Sequence, residues 1–128
     1  MIAYHSEPES PVVQIKVSGE VTDAEMKSAM IRLADDIAGG KDRILETIDH
    51  FTGIEPAAIW TDLKLGVPLA NKVSRVAVVA EAGWIRAVTP LGGLFTRAEV
   101  RAFEPSQLAE ARTWVEGRTA LPQAVPPS

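Results

Sequence analysis

The 128-residue sequence contains no cysteine. A disulfide scaffold, a thiolate zinc site, an iron–sulfur cluster and a cysteine nucleophile are thereby excluded. Histidine is scarce too, since only His5 and His50 occur, too few for a multi-histidine metal centre. Basic residues do not dominate. Thirteen Lys and Arg stand against seventeen Asp and Glu, a formal charge of −4, which argues against a nucleic-acid partner. Apolar runs are short, and one such as residues 76–80 falls far below the ~20 residues that span a bilayer. The first seven residues lack a basic stretch followed by an apolar one. No signal peptide is read there, and a soluble cytoplasmic protein is expected.

What is present fits one folded domain. Hydrophobic residues make up 46% and charged residues 23%, a balance that excludes a disordered chain. A single domain is expected over residues 1–117. Residues 118–128 carry three of the nine prolines and are expected to form a fraying tail.

Local patterns assign the elements. Val13, Ile15 and Val17 alternate with Val12, Gln14 and Lys16, the period of a strand. Residues 2–5 predict a shorter strand before it, with a turn at residues 7–11, and Ser18-Gly19 is expected to end the second strand. Thr22-Asp23-Ala24-Glu25 is a capping box that opens a helix, and Val21 with Met26 forms its hydrophobic staple. Met26, Met30, Leu33 and Ile37 follow on one face, and Gly39-Gly40 supplies the stop. Asp35 and Asp36 sit at the end of that helix where the dipole disfavours acid.

Residues 43–49 predict a third strand, and His50-Phe51-Thr52-Gly53 predicts a loop after it. Pro56 fits the first turn of a second helix, and Pro68 is expected to kink or end it. The continuous run at residues 76–80 predicts a strand buried on both faces. A short helix at residues 83–88, a strand at residues 98–103 and a last helix at residues 106–116 complete the chain. The alternation of strands and helices implies an α/β single-domain sandwich, with a mostly parallel five-stranded sheet and about four helices.

Several pieces in this order resemble a known family. They are Val17-Ser-Gly-Glu-Val-Thr22 entering a helix, Ile59-Trp60-Thr-Asp62-Leu-Lys64, Ser74-Arg75-Val76-Ala77-Val78-Val79, Trp84, and Ala98-Glu99-Val100-Arg101-Ala102-Phe103 ahead of Ala111-Arg112-Thr113-Trp114. The layout resembles the SpoIIAA-like family of small bacterial STAS-type proteins, whose fold is also likened to the CRAL-TRIO lipid-transfer domain. The resemblance implies a STAS-like fold and a non-enzymatic binding or regulatory domain. STAS regulators carry an Asp-Ser-x-Gly phosphorylation motif at the start of the second helix. The comparable stretch here is Asp49-His50-Phe51-Thr52-Gly53, where Thr52 supplies a hydroxyl but the motif is absent.

Candidate site residues gather around the second helix. Trp60 and Lys64, four apart, can stack, so that Trp60 walls an apolar pocket and Lys64 meets an anionic head group. The competing assignment is half-buried packing for Trp60 and a snorkelling Lys64. Ile59, Trp60, Leu63, Leu65, Val67 and Leu69 leave no wholly polar face on this helix, so it needs a cover. A second apolar stretch runs from Trp84 to Phe95. A homodimer interface is expected to cover this surface, with a ligand groove lined by Trp60, Leu63 and Trp84 next. A membrane surface is a weaker cover, because only Arg86 and Arg97 flank the second stretch. Asp49-His50 lies at the carboxyl end of a central strand, where ligands bind in open α/β sheets. There His50 is either a base or switch, or a loop histidine bonded to a neighbouring backbone group.

No catalytic elbow, phosphate loop or paired carboxylates are read. No cofactor and no metal are expected. The leading expectation is a non-enzymatic STAS-like domain that binds an apolar or lipid-like small molecule. The alternative is a protein-interaction regulator of the anti-sigma-factor-antagonist type, docking through residues 51–55 and the second helix.

Overall fold

The computed structural model describes residues 1–83 and 98–117. The expected helix at residues 83–88, the apolar stretch from Trp84 to Phe95 and the tail at 118–128 lie wholly or almost wholly outside the described residues. Five strands form one mixed sheet in the order β1 (Ile2–Ser6), β2 (Val12–Val21), β3 (Arg43–Ile54), β4 (Arg75–Val79) and β5 (Glu99–Phe103). β1 and β2 are antiparallel, because five residues join them and a short turn can only reverse the chain. The other three junctions are parallel. Helix α1 (Asp23–Ala38) crosses from β2 to β3, and α2 (Pro56–Ala70) from β3 to β4. A 3-10 turn (Pro105–Gln107) leads into the last helix, α3 (Leu108–Glu116).

Each strand sends alternate residues to opposite layers. Val13, Ile15, Ile44, Val76 and Val78 pack with Leu33 and Ile37 of α1. Val12, Leu45, Ala77 and Val79 face the other way, against Phe103 and the Ala111, Trp114 and Val115 side chains of α3. The run Val76–Val79 is thus buried on both faces, as its composition predicts. Each fully buried side chain of this kind stabilises the fold by about 1.5–3 kcal/mol.

The capping box at α1 forms as predicted. The Glu25 amide donates to Thr22 Oγ1 at 3.2 Å, and the Thr22 amide donates to Glu25 Oε1 at 3.1 Å. The staple residues Val21 and Met26 are buried together with Ala58 of α2. Asp36, at the disfavoured end of α1, accepts a 2.5 Å hydrogen bond from the Tyr4 hydroxyl. That bond holds the Asp36 carboxyl below its usual range and offsets its unfavourable place on the dipole.

Three local expectations are corrected. β2 does not stop at Ser18-Gly19 but continues to Val21, and β3 does not stop at Asp49 but continues to Ile54. The two extensions pair with each other through two register shifts, Gly19 opposite Phe51 and Glu20 opposite Gly53. His50 takes the left-handed region at φ 50°, as does Gly19 at φ 59° across the ladder. The turn-forming residues 50–53 therefore build bulges inside a strand rather than a loop. Pro68 does not end α2, which runs to Ala70. It sits in the last turn, where it removes a single backbone bond.

Candidate functional site

Helix α2 is placed by its start. Pro56 occupies the first turn and Glu55 precedes it in extended conformation. The Glu55 amide donates to the Val21 carbonyl at 2.9 Å, and the Glu55 carboxylate accepts from the Asp23 amide at 2.7 Å. Thr61 Oγ1 donates to Asp23 Oδ1 at 2.5 Å, one turn further along α2. These bonds, with buried Ala58 and Thr61, hold α2 against α1. Thr61 also keeps the Asp23 carboxyl below its usual range.

The opposite side of α2 is open. Trp60 is 69% exposed, Ile59 48% and Val67 44%. Trp60 and Val67 are seven residues apart and share one stripe of the helix, with exposed Lys64 between them and Ile59 on the flank. Among the described residues, the clefts of about 320–400 Å³ do not include Trp60, and the pocket expected with Leu63 and Trp84 lies partly outside the described residues. Nor does Trp60 stack on Lys64: among the described residues, the cation–π contacts are Arg32 on Tyr4, and Arg75 and Arg101 on Trp114. The Leu63 side chain and all of Trp84 lie outside what is described.

The remaining candidates divide between the two faces. Phe51 is half-buried against the cluster of Val21, Met26 and Ala58, so it supports α2 from beneath. Thr52 is exposed on β3, short of the helix start. His50 is exposed, and its Nε2 lies 3.4 Å from Asp49 Oδ1. Asp49 lines a cleft of about 400 Å³ on the other side of the sheet, beside α3. Asp49 and Trp60 therefore do not belong to one site.

One buried acid escaped the sequence. Glu46 lies on β3 between Ile44 and Ile48, level with Ile15 and Val78, on the α1 and α2 side of the sheet. Burial pushes its carboxyl up to about 7, and the Asp62 carboxylate of α2 adds to the effect. Asp62 as a residue keeps accessible surface, but its carboxyl end is desolvated and is raised as well. The signal for Glu46 was an acid at a core position of an alternating strand. No local pattern pointed to Asp62. Among the described residues, no cluster of three His, Cys, Asp or Glu could hold a metal. No described helix is long and apolar enough to cross a membrane.

A five-stranded mixed sheet with α1 and α2 on one face and α3 on the other is the STAS-type α/β fold. The SpoIIAA-like family profile matches residues 12–116, and the chain belongs to the SpoIIAA-like family. Among solved structures, the chain is similar to an uncharacterised DUF3478-family protein with a SpoIIAA-like fold from Shewanella loihica PV-4. That likeness has a TM-score of 0.71 and 24% identity, and covers 90% of this chain and 92% of the other. It is also similar to the unphosphorylated form of the anti-sigma factor antagonist SpoIIAA, with a TM-score of 0.61 and 12% identity over 89% and 98% of the two chains. The phosphorylated form of the Bacillus cell fate determinant SpoIIAA gives 0.61 and 14% over 88% and 99%. At these identities the likeness establishes the fold. No curated protein matches the chain.

Proposed function

We infer that the chain is a non-enzymatic interaction domain whose α2 docks a partner protein through Trp60, Ile59 and Val67. The observation that carries this reading is the 69% exposure of Trp60 on a helix already anchored from its other side. Single exposed apolar residues are ordinary, but Ile59 and Val67 beside a tryptophan on one exposed arc suit a contact surface. Tryptophan is among the side chains enriched at the energetic centre of protein interfaces. Lys64 supplies a polar rim beside it. Phe51 keeps the helix at its height above the sheet, and Thr52 and His50 lie outside the contact. The likeness to an anti-sigma factor antagonist supports a protein partner over both the second copy expected from sequence to cover this surface and the apolar small molecule of the leading functional expectation.

The test compares the wild-type chain with Trp60→Asp and Ile59→Asp as tagged baits in lysate of the source organism. The same heterologous protein retained by the wild type and lost from both variants supports the reading. It must then bind the purified wild type at least tenfold more tightly than either variant. Retention of only a second copy of the chain, or of a lipid found by mass spectrometry, would replace it with the homodimer or the small-molecule alternative.

A further inference from the structure

The cleft on the α3 face has a composition that α2 lacks. It opens where α3 covers only part of the sheet, beside His5 of β1, Gln14 and Lys16 of β2 and Thr47 and Asp49 of β3. Its volume of about 400 Å³ is that of a small-molecule site. Leu45, Val79, Pro105 and Leu108 form an aliphatic floor and wall. Lys16 and Arg112 stand at the rim, with Gln14 and Thr47 beside them.

The charges in this cleft are unbalanced. Arg112 Nη1 is oriented by a 3.2 Å hydrogen bond to Gln14 Oε1, a neutral acceptor. Among the described residues neither Arg112 nor Lys16 has a carboxylate partner. Asp49 is the acid of the cleft; its Oδ1 lies 3.4 Å from His50 Nε2 and forms no ion pair with Lys16, so two cations stand against one carboxylate. Lys16 and Thr47 are directly paired across β2 and β3, so a cation and a hydroxyl stand side by side. His5 adds a third nitrogen donor on β1, paired with Gln14.

We propose that this cleft binds a small organic carboxylate with an aliphatic body, its head group held by Lys16 and Arg112 and its chain laid on Leu108 and Pro105. A guanidinium fixed by one neutral acceptor still presents its remaining N–H groups to a carboxylate, and a nearby ammonium adds charge without demanding geometry. The apolar floor rejects a bare inorganic anion, which gains nothing from it. The rim cations reject an alkylammonium. This site lies on the face of the sheet away from α2 and does not depend on the docking role of Trp60.

The test uses the full chain and three probes read by amide chemical shifts: octanoate, octylammonium and inorganic phosphate. A ligand of about ten heavy atoms should saturate with a dissociation constant on the order of 1 mM. Octanoate is expected to move the amides of Lys16, Thr47 and Leu108, while octylammonium and phosphate leave them in place. The double variant Lys16→Gln with Arg112→Gln should weaken octanoate roughly tenfold. Probe selectivity on the wild type decides the matter even where that variant misfolds. Octylammonium or phosphate binding as well as octanoate, octanoate shifts confined to α2, or no saturation by octanoate would overturn the proposal.

Discussion

The Glu55 carboxylate accepts the backbone N–H of Asp23 at 2.7 Å, so the residue that precedes α2 also satisfies the first turn of α1. One acid thus serves the positive ends of two helix dipoles and fixes the two N-termini beside each other. Glu55→Ala should lower stability by about 1 kcal/mol, a typical loss for a cap. Urea unfolding checks this through a lower midpoint with an unchanged slope.

Helix α3 ends on two arginines that it does not itself carry. Arg43 Nη1 donates to the Val115 carbonyl at 2.8 Å, and Arg75 Nη1 to the Trp114 carbonyl at 2.6 Å. Gly117 follows at φ 77°, and a Cβ there would meet Arg43 Nη1 at 2.9 Å. Gly117→Ala should therefore cost on the order of 1–2 kcal/mol, from the left-handed backbone and the displaced arginine together. Thermal unfolding should show a drop of several degrees, larger than for Gly53→Ala, where a Cβ meets open space.

The Glu46 and Asp62 carboxyls set a pH dependence of definite sign. Folding raises Glu46 from 4.5 to about 7, so the folded chain holds the extra proton between those values. The stabilisation is complete below pH 4.5 and is lost as pH rises through 7, a loss on the order of 1–3 kcal/mol. Asp62, raised as well, has the same sign. Asp23, Glu25 and Asp36 are lowered, and their stabilisation is lost as pH falls below the ordinary carboxylate range. The melting temperature should peak at about pH 5 and decline toward pH 8. Glu46→Gln should remove most of that decline; an equally steep fall in the variant would assign it elsewhere.

Trp60 faces solvent, so its removal should leave the fold intact. Trp60→Ala is expected to change stability by less than about 0.5 kcal/mol. By contrast Trp114, which packs on Phe103 with ring centroids 5.9 Å apart, should cost about 3 kcal/mol or more as Trp114→Ala. Paired denaturant titrations measure both.

The parts of this fold legible in the sequence are those decided within a few residues. The Thr22 to Glu25 box, the α1 stripe of Met26, Leu33 and Ile37, and the doubly buried run of β4 needed no distant information. The ends of β2 and β3 did. Residues 50–53 look like a turn, yet Gly19 and Glu20 offer them a parallel partner at a shifted register. Only pairing between strands distant in sequence distinguishes a bulge from a loop. The exposed apolar face of α2 was legible from composition, but its direction was not. Ala58 and Thr61 turn inward, while Ile59, Trp60 and Val67 turn out. Neither the effect of Asp62 on Glu46 nor the cleft of Lys16 and Arg112 was visible, since each joins elements that meet only after folding.

The most direct measurement of the docking role is photocrosslinking in intact cells, with a photoreactive amino acid at position 60 and, as control, at position 112. The account predicts one discrete heterologous protein captured from position 60 and not from position 112, which then binds the purified chain and loses affinity with Trp60→Asp. Capture of only a second copy of the chain, equal capture from both positions, or none from position 60 would contradict it.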